Sequence, residues 1–308
     1  MATTAGKSGA SGGGRPPAAG KPRELDDVLN RRVFHPLSRR LAAALAPTFV
    51  TPNMVSVSGA LLVLAAGAFY AGFTGIGFAA AVAVGFALHM LWHVVDGADG
   101  HLARMTGRAS AFGEMVDGIC DYSSHALLYL LLATYLDDQI GLWAYPLGLL
   151  AGFSRVAQAN HSESQRRIYM WRAYGIPWMQ QARASEDDVF RRKGGAGALA
   201  RLASAYLWLA DALSPASAEL DRAAEAAACD PEARRRLTRL CRSVFRGPLF
   251  LQGLLGANPR TVLLGISMAL GSPLFFFLAE TTVMNLLLVA SVRRQKRANV
   301  TLARRLAA

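Results

Sequence analysis

The sequence predicts an all-α, polytopic membrane protein with six transmembrane helices, and three observations support this fold class. Hydrophobic residues make up 53% of the 308-residue chain, a high share for a soluble protein. Apolar runs recur along the chain, and most are long enough to cross a bilayer as helices. Lys and Arg are concentrated in alternate connections between these runs. The chain is therefore expected to cross the membrane several times.

Four predicted spans lie in the N-terminal half, at about 54–73, 75–95, 111–135 and 140–159. Thr51-Pro52-Asn53 precedes the first, and proline is ordinary at a helix start. Asp137-Asp138-Gln139 is predicted to form the turn between the third and fourth spans. A short fifth span is predicted at 261–270 and a sixth at 274–292, separated by the helix-breaking sequence Gly271-Ser272-Pro273.

The segments outside these spans differ in composition. Residues 1–22 are rich in Gly, Ala, Ser and Pro and are expected to be a disordered tail without the apolar core of a signal peptide. Residues 23–50 are expected to form an amphipathic interfacial helix. The transmembrane segment 51–160 is followed by a cytosolic helical insert, 161–258, with a glycine hinge at 194–197 and helices at 199–213 and 217–245. The last two spans and a basic tail occupy 259–308.

The net charge of +12 points to an anionic membrane surface as partner. Nucleic acid is excluded because no recognisable binding module is present. Both termini, the loop at 104–108 and the insert are basic, whereas the loops near Phe73, Asp137 and Gly271 contain no Lys or Arg. The positive-inside rule therefore predicts an integral protein of the bacterial inner membrane with residues 96–121 near the cytoplasmic face.

Two aspartate pairs lie at this predicted membrane boundary. Asp96 and Asp99 are three residues apart, Asp117 and Asp121 are four apart, and each pair would share one helix face. Four converging carboxylates repel one another unless hard divalent cations such as Mg²⁺, Mn²⁺ or Ca²⁺ neutralise them. Arg104 lies a little over one turn after Asp99, where it can meet a phosphate. The pattern indicates a nucleotide diphosphate and phosphoryl-type transfer.

This stretch resembles the signature of the CDP-alcohol phosphotransferase (CDP-alcohol phosphatidyltransferase) family at every fixed position. The matching residues are Asp96, Asp99, Gly100, Ala103, Arg104, Gly113, Asp117 and Asp121. The resemblance implies CDP-diacylglycerol or another CDP-alcohol as donor, a small polar alcohol as acceptor, and CMP as product. It also implies two Mg²⁺ or Mn²⁺ ions held by the four aspartates, and a homodimer.

The resemblance also implies roles for single residues. The first seven matching residues would bind CDP, and Asp121 would be the catalytic base. Members of the choline/ethanolamine branch have a histidine immediately after the third aspartate, where this chain has Gly118. A base mechanism through that histidine therefore does not carry over to this chain.

Several alternatives remain open from the sequence. The aspartates can instead cap helix ends. The same motif serves the reverse pairing, in which a CDP-linked polar alcohol is the donor and a lipid hydroxyl is the acceptor. A divalent cation transporter and a scaffold acting through the insert are hypotheses from other classes. The transporter leaves Arg104 and the glycine spacing unexplained.

The acceptor is not identified by the sequence. Arg155 and Arg260 are predicted near the cytoplasmic ends of spans four and five, where they could bind an anionic acceptor or snorkel to the interface. His125 follows Asp121 by one helical turn and could touch the acceptor hydroxyl or be a hydrogen-bonded core histidine. Glu280 is expected to be a solvated charge near the opposite interface.

Overall fold

The computed structural model describes residues 22–25, 27–176, 213, 217–228 and 230–307, and within these residues all regular structure is helical. The helices are α1 (His35–Leu45), α2 (Pro52–Tyr70), α3 (Phe78–Met105), α4 (Ala111–Ile140), α5 (Ala144–Tyr174), α6 (Ala218–Ala226), α7 (Pro231–Leu254), α8 (Ala257–Ala269), α9 (Leu274–Thr281) and α10 (Val283–Ala307). A 3₁₀ turn at Arg23–Leu25 and a π-helical turn at Asn30–Phe34 precede α1. The predicted tail, glycine hinge and helix 199–213 lie outside the described residues, apart from Pro22 and Leu213.

Four helical stretches are long and apolar enough to cross a membrane: Pro52–Tyr70, Phe78–Met105, Phe112–Tyr174 and Leu274–Ala307. The third is 63 residues long. It folds back on itself at Gly141, which has a φ of 64° that glycine adopts at little cost. A side-chain carbon built on Gly148 would lie 3.1 Å from the Ala133 methyl carbon, so α4 and α5 pack closely as an antiparallel pair.

This turn corrects the sequence-based prediction. Asp137, Asp138 and Gln139 were expected to break the helix, but α4 continues through all three to Ile140. The reversal occurs at Gly141 and in the 3₁₀ turn Gly141–Trp143. Polar side chains at a helix end do not by themselves stop it, whereas a glycine with positive φ does. α5 also extends well beyond the predicted end of span four, to Tyr174.

Helix α8 is shorter than a membrane span. Its 13 residues rise about 20 Å, whereas the hydrocarbon core of a bilayer is about 30 Å thick. It packs against α3 and α9, and its residues Leu264 and Met268 belong to the main apolar core. That core is built from α2, α3, α4, α5, α8 and α9.

A second apolar cluster joins α5, α6, α7 and α10 beyond the main core. Tyr169 of α5 packs edge-on against Phe245 of α7, with ring centroids 6.1 Å apart. The N-terminal segment also docks here, because Leu25 is buried in this cluster. The region predicted as an insert therefore begins as a continuation of helix α5, and its helices α6 and α7 pack against α10.

Glu24 fixes this docking through its carboxylate. It accepts hydrogen bonds from the hydroxyls of Tyr169 and Tyr174 and from Nε of Arg242. Burial raises the pKa of Glu24, but these hydrogen bonds outweigh burial and hold the pKa below its ordinary value. The predicted amphipathic segment is thus anchored at its start to α5 and α7, while α1 packs on α3.

Candidate active site

The first aspartate pair lies within α3 rather than in a loop. Asp99 is buried, with 7% of its surface exposed, and Ser56 of α2 donates a hydrogen bond to its Oδ2 at 2.7 Å. Asp96 is half-buried one turn earlier on the same helix. A buried carboxylate needs such donors because it has lost its water. Sequence analysis missed Ser56, a hydroxyl one turn after Pro52 in a largely apolar helix.

Arg104 lies back along α3 over Gly100. A side-chain carbon built on Gly100 would be 3.3 Å from Nη1 of Arg104, so any larger residue would displace the guanidinium. Nη2 of Arg104 is 3.4 Å from Nδ1 of His101. The Arg104 side chain is exposed, and Ala103 beside it is half-buried. This arrangement leaves the guanidinium accessible to an anionic ligand beside the first aspartate pair.

The second half of the motif begins α4. Ser110 caps the helix by accepting a hydrogen bond from the backbone N–H of Gly113 at 3.1 Å. A side-chain carbon built on Gly113 would lie 3.6 Å from Oδ1 of Asn53, at the start of α2. Helix α2 contacts both α3 and α4 along its length, and it therefore brings the two halves of the motif together.

The carboxyl groups of Asp99 and Asp117 meet across these helices. They are close enough to share a hydrogen bond, and Asp121 and Glu114 act electrostatically on the same Asp117 carboxyl. Two carboxyl groups in contact must share either a proton or a cation. The structure thus brings one member of the first pair against one member of the second.

Asp121 pairs with His125 one turn later on α4. Nδ1 of His125 lies 3.0 Å from Oδ1 of Asp121 and 2.9 Å from its backbone oxygen. His125 is buried, whereas the Asp121 side chain is 33% exposed. Within the described residues, Nε2 of His125 has no hydrogen-bond partner, whereas Oδ1 of Asp121 is contacted by Nδ1 of His125.

A wall of buried histidines and tryptophan lies behind Asp121, and sequence analysis missed it. Trp92 of α3 packs edge-on against His125, with ring centroids 4.6 Å apart, and lies 4.5 Å from His93. His89 is 5.7 Å from His125. Polar residues 89 and 93 lie one turn apart in an apolar span, and they precede Asp96. This spacing of two polar residues is the sequence feature that could have indicated the wall.

Arg155 of α5 also reaches this region. Its guanidinium carbon lies 6.0 Å from the ring centroid of Tyr129, and it interacts electrostatically with Asp121 and Glu280. Among the residues that the structure describes, Arg155 forms no ion pair. The hydroxyl oxygen of Tyr129 has no hydrogen-bond partner of good geometry in the same set.

Arg260 and Glu280 correct two sequence-based predictions. Glu280 was expected to be solvated, but it is fully buried, and its Oε1 lies 3.0 Å from Nε of Arg260. The remaining guanidinium nitrogens of Arg260 donate to Oε1 of Gln158 at 2.7 Å and to the backbone oxygens of Leu255 and Gly256. The guanidinium donors of Arg260 are therefore occupied by the protein.

The donor chemistry at the motif fits a hard cation. Asp96, Asp99, Asp117 and Asp121 all offer carboxylate oxygens, the ligands that Mg²⁺ and Mn²⁺ prefer. Two of them, Asp99 and Asp117, already meet. Among the residues that the structure describes, no three His, Cys, Asp or Glu side chains converge closely enough to hold a metal ion.

The comparisons with known proteins concern the same helices. Residues 49–178 match the model of the CDP-alcohol phosphatidyltransferase family. No curated protein matches the chain. The matched segment covers α2 to α5 and includes both aspartate pairs, the cap of α4 and Arg155. Through this segment the chain is similar to the CDP-alcohol phosphatidyltransferase family, whose members are transferases of substituted phosphate groups.

Proposed function

We propose that this chain transfers a phosphatidyl group from CDP-diacylglycerol to a small polar alcohol and releases CMP, as a step of phospholipid biosynthesis. The observation that carries the proposal is the contact between Asp99 and Asp117, which lies within the segment that matches the family. Charged groups inside a membrane protein are rare and mark functional sites. A site of paired carboxylates beside an accessible arginine suits a pyrophosphate.

The lipid donor is supported by the surface beside the aspartates. On α4, Met115, Ile119 and Tyr122 are exposed around Asp117 and Asp121. An apolar face next to a polar site suits a ligand with acyl chains in the bilayer and a charged headgroup at the site. This surface supports a lipid as one of the two substrates, and we assign that place to the donor, CDP-diacylglycerol.

The CDP headgroup is proposed to lie between α2, α3 and α4. Gly100, Ala103 and Gly113 would line it, because small side chains leave room for a flat nucleotide. Arg104 would bind a phosphate of the donor through its guanidinium. The closeness of Asn53 to Gly113 supports a pocket bounded by the start of α2.

Asp96, Asp99, Asp117 and Asp121 are proposed to hold two Mg²⁺ or Mn²⁺ ions. Such ions, when bound, would neutralise the pyrophosphate and the developing charge on CMP. The Asp121 carboxylate would take the proton of the acceptor hydroxyl. The hydroxyl oxygen then bonds to the phosphatidyl phosphorus, and the bond from that phosphorus to the CMP oxygen breaks. His125 would orient Asp121 through the 3.0 Å contact.

Arg155 is the better supported of the two arginines predicted to bind the acceptor. Arg260 is engaged by Glu280, Gln158 and backbone oxygens, whereas Arg155 forms no ion pair among the described residues. Arg155 also interacts electrostatically with Asp121, the proposed base. An acceptor with an anionic group would therefore be held beside Asp121 by the Arg155 guanidinium.

The proposed topology has six transmembrane helices, of which the fifth is the short α8, with a cytoplasmic active site, a surface helix within 23–50 and a homodimer in the bacterial inner membrane. The antiparallel pairing of α4 with α5 supports two crossings within the 63-residue stretch. Single-cysteine labelling from each side of the membrane tests this topology. Labelling of position 108 from outside the cell would rule it out.

The decisive experiment supplies purified protein in lipid nanodiscs with CDP-diacylglycerol, Mg²⁺ or Mn²⁺ and a panel of alcohols. Mass spectrometry of the lipids and quantification of CMP identify the reaction. We expect CMP and a new phospholipid with one alcohol, and turnover reduced by at least about a hundredfold in Asp117→Asn, because a site ligand is lost. Asp138→Asn, an exposed carboxylate at the other end of α4, is the matched control and should retain full turnover.

The other outcomes separate the alternatives. Consumption of CDP-choline or CDP-ethanolamine with diacylglycerol, in place of CDP-diacylglycerol, would establish the reverse pairing. Divalent cation flux into liposomes without release of CMP from any donor would establish the transporter instead. Equal turnover of Asp117→Asn and wild type would refute the assignment of the site.

A further inference from the structure

Thr261, near the start of α8, contacts two histidines of α3. Its hydroxyl oxygen is 3.0 Å from Nε2 of His93 and 3.4 Å from Nε2 of His89. All three side chains are buried. The contacts join residues separated by 168 and 172 positions in the chain, and they connect the short helix α8 to the helix that carries Asp96 and Asp99.

The chemistry of a hydroxyl constrains both imidazoles. A threonine has one O–H proton, so it can donate to only one of the two nitrogens and must accept from the other. When both histidines are neutral, one therefore carries its proton on Nε2 and the other carries it on Nδ1. Thr261 thus sets complementary tautomers and the orientation of both rings.

These rings are part of the wall behind the proposed base. Trp92 lies against His93 on one side and against His125 on the other, at centroid distances of 4.5 Å and 4.6 Å. His125 in turn contacts Oδ1 of Asp121 at 3.0 Å. A continuous set of packed rings therefore runs from Thr261 to Asp121.

The position of Thr261 is itself fixed from two sides. Its neighbour Arg260 pairs with buried Glu280 and donates to Gln158, which ties α8 to α5 and α9. On the other side, the ring of His93, which contacts the Thr261 hydroxyl, is held by stacking against Phe34 with ring centroids 4.9 Å apart. The hydroxyl consequently meets rings that have little freedom to move away.

We propose that Thr261 is a positioning residue for the transfer reaction: its hydroxyl fixes His89 and His93, and through Trp92 and His125 it fixes the orientation of the Asp121 carboxylate. The proposal rests on the proposed function, because it assigns Asp121 the acceptor proton. Thr261 itself touches neither substrate nor ion. Its loss should therefore affect turnover and leave binding of the CDP-linked donor unchanged.

Two substitutions at Thr261 test this role. Thr261→Val keeps the shape and removes the hydroxyl, and we expect kcat to fall about tenfold, since small misplacements of reacting groups have effects of this size or larger. The donor KM should not change. Thr261→Ser keeps the hydroxyl and should restore kcat to within about twofold of wild type. Thr134→Val is the matched control, because within the part of the chain that the structure describes that hydroxyl donates to the backbone of its own helix, at Leu131.

A second measurement does not depend on activity. In ¹⁵N-histidine-labelled protein, the imidazole nitrogen shifts report the tautomers of the chain's six histidines. We expect two of these spin systems to change in Thr261→Val, and none to change in Thr261→Ser or Thr134→Val. Single substitutions His89→Gln and His93→Gln assign the two signals.

The outcomes distinguish this proposal from the function on which it rests. The positioning role would be wrong if Thr261→Val kept the wild-type kcat, or if Thr261→Val and Thr261→Ser lost kcat equally. Either result would leave the proposed transfer activity in place. Unchanged imidazole spectra in Thr261→Val would overturn the positioning role as well. A wild-type protein that releases no CMP with any donor would refute the proposed function itself.

Discussion

The buried pair Arg260–Glu280 gives a quantitative prediction. Glu280 is fully buried and Arg260 is 3% exposed, and Glu280→Gln would leave the guanidinium in this environment without its counter-charge. Removing one partner of a buried ion pair costs about 3–5 kcal/mol in typical cases. Arg260 keeps its hydrogen bonds to Gln158 and to two backbone oxygens. We therefore expect Glu280→Gln to lower the free energy of unfolding by about 3 kcal/mol.

A partly exposed pair supplies the matched control. Arg167 and Glu163 lie one turn apart on α5, with Nε and Oε1 separated by 2.6 Å and side chains 35% and 45% exposed. Although this distance is shorter than the one in the buried pair, water screens the interaction, and exposed helical pairs contribute about 0.3–0.5 kcal/mol. Glu163→Gln should therefore change stability far less than Glu280→Gln.

The assay is equilibrium unfolding of the purified protein in mixed detergent micelles, followed by the loss of helical circular dichroism. We expect Glu280→Gln to shift the unfolding midpoint strongly and Glu163→Gln to shift it by less than a quarter as much. The double variant Arg260→Met/Glu280→Leu should recover much of the loss, because neither charge is then buried alone. Equal effects of Glu280→Gln and Glu163→Gln would refute the argument that burial makes this pair strong.

Two further predictions concern close packing and the acceptor. In Gly97→Ala, the new methyl carbon would lie 2.7 Å from Oγ of Ser38, so we expect a loss of about 1–3 kcal/mol in the same unfolding assay, whereas Gly118→Ala, which meets no atom within 4 Å, should be tolerated. Arg155→Ala should raise the acceptor KM roughly 10–150-fold without changing the donor KM, because one charged hydrogen bond contributes about 1.5–3 kcal/mol. A lipid product with an uncharged headgroup would contradict this expectation for Arg155.

The sequence determined the features that depend on neighbours in the chain. The long apolar helices and the starts of α2 and α4 follow from local hydropathy and from caps at Thr51 and Ser110, and the structure confirms them. The aspartate motif was also recognisable, because spacings of three and four residues place side chains on one helix face without any tertiary information. The match over residues 49–178 confirms the predicted resemblance to the family.

The tertiary structure decided the contacts between distant segments. Glu280 was expected in water, because nothing in its local sequence shows that Arg260 faces it in the core. No local sequence feature indicated a role for Thr261, because its partners His89 and His93 lie more than 160 residues away in the chain. Local sequence patterns report the preference of a residue for helix or for membrane. The burial of a charge or a hydroxyl depends on which helices pack together, and that packing determines the surroundings of Asp121.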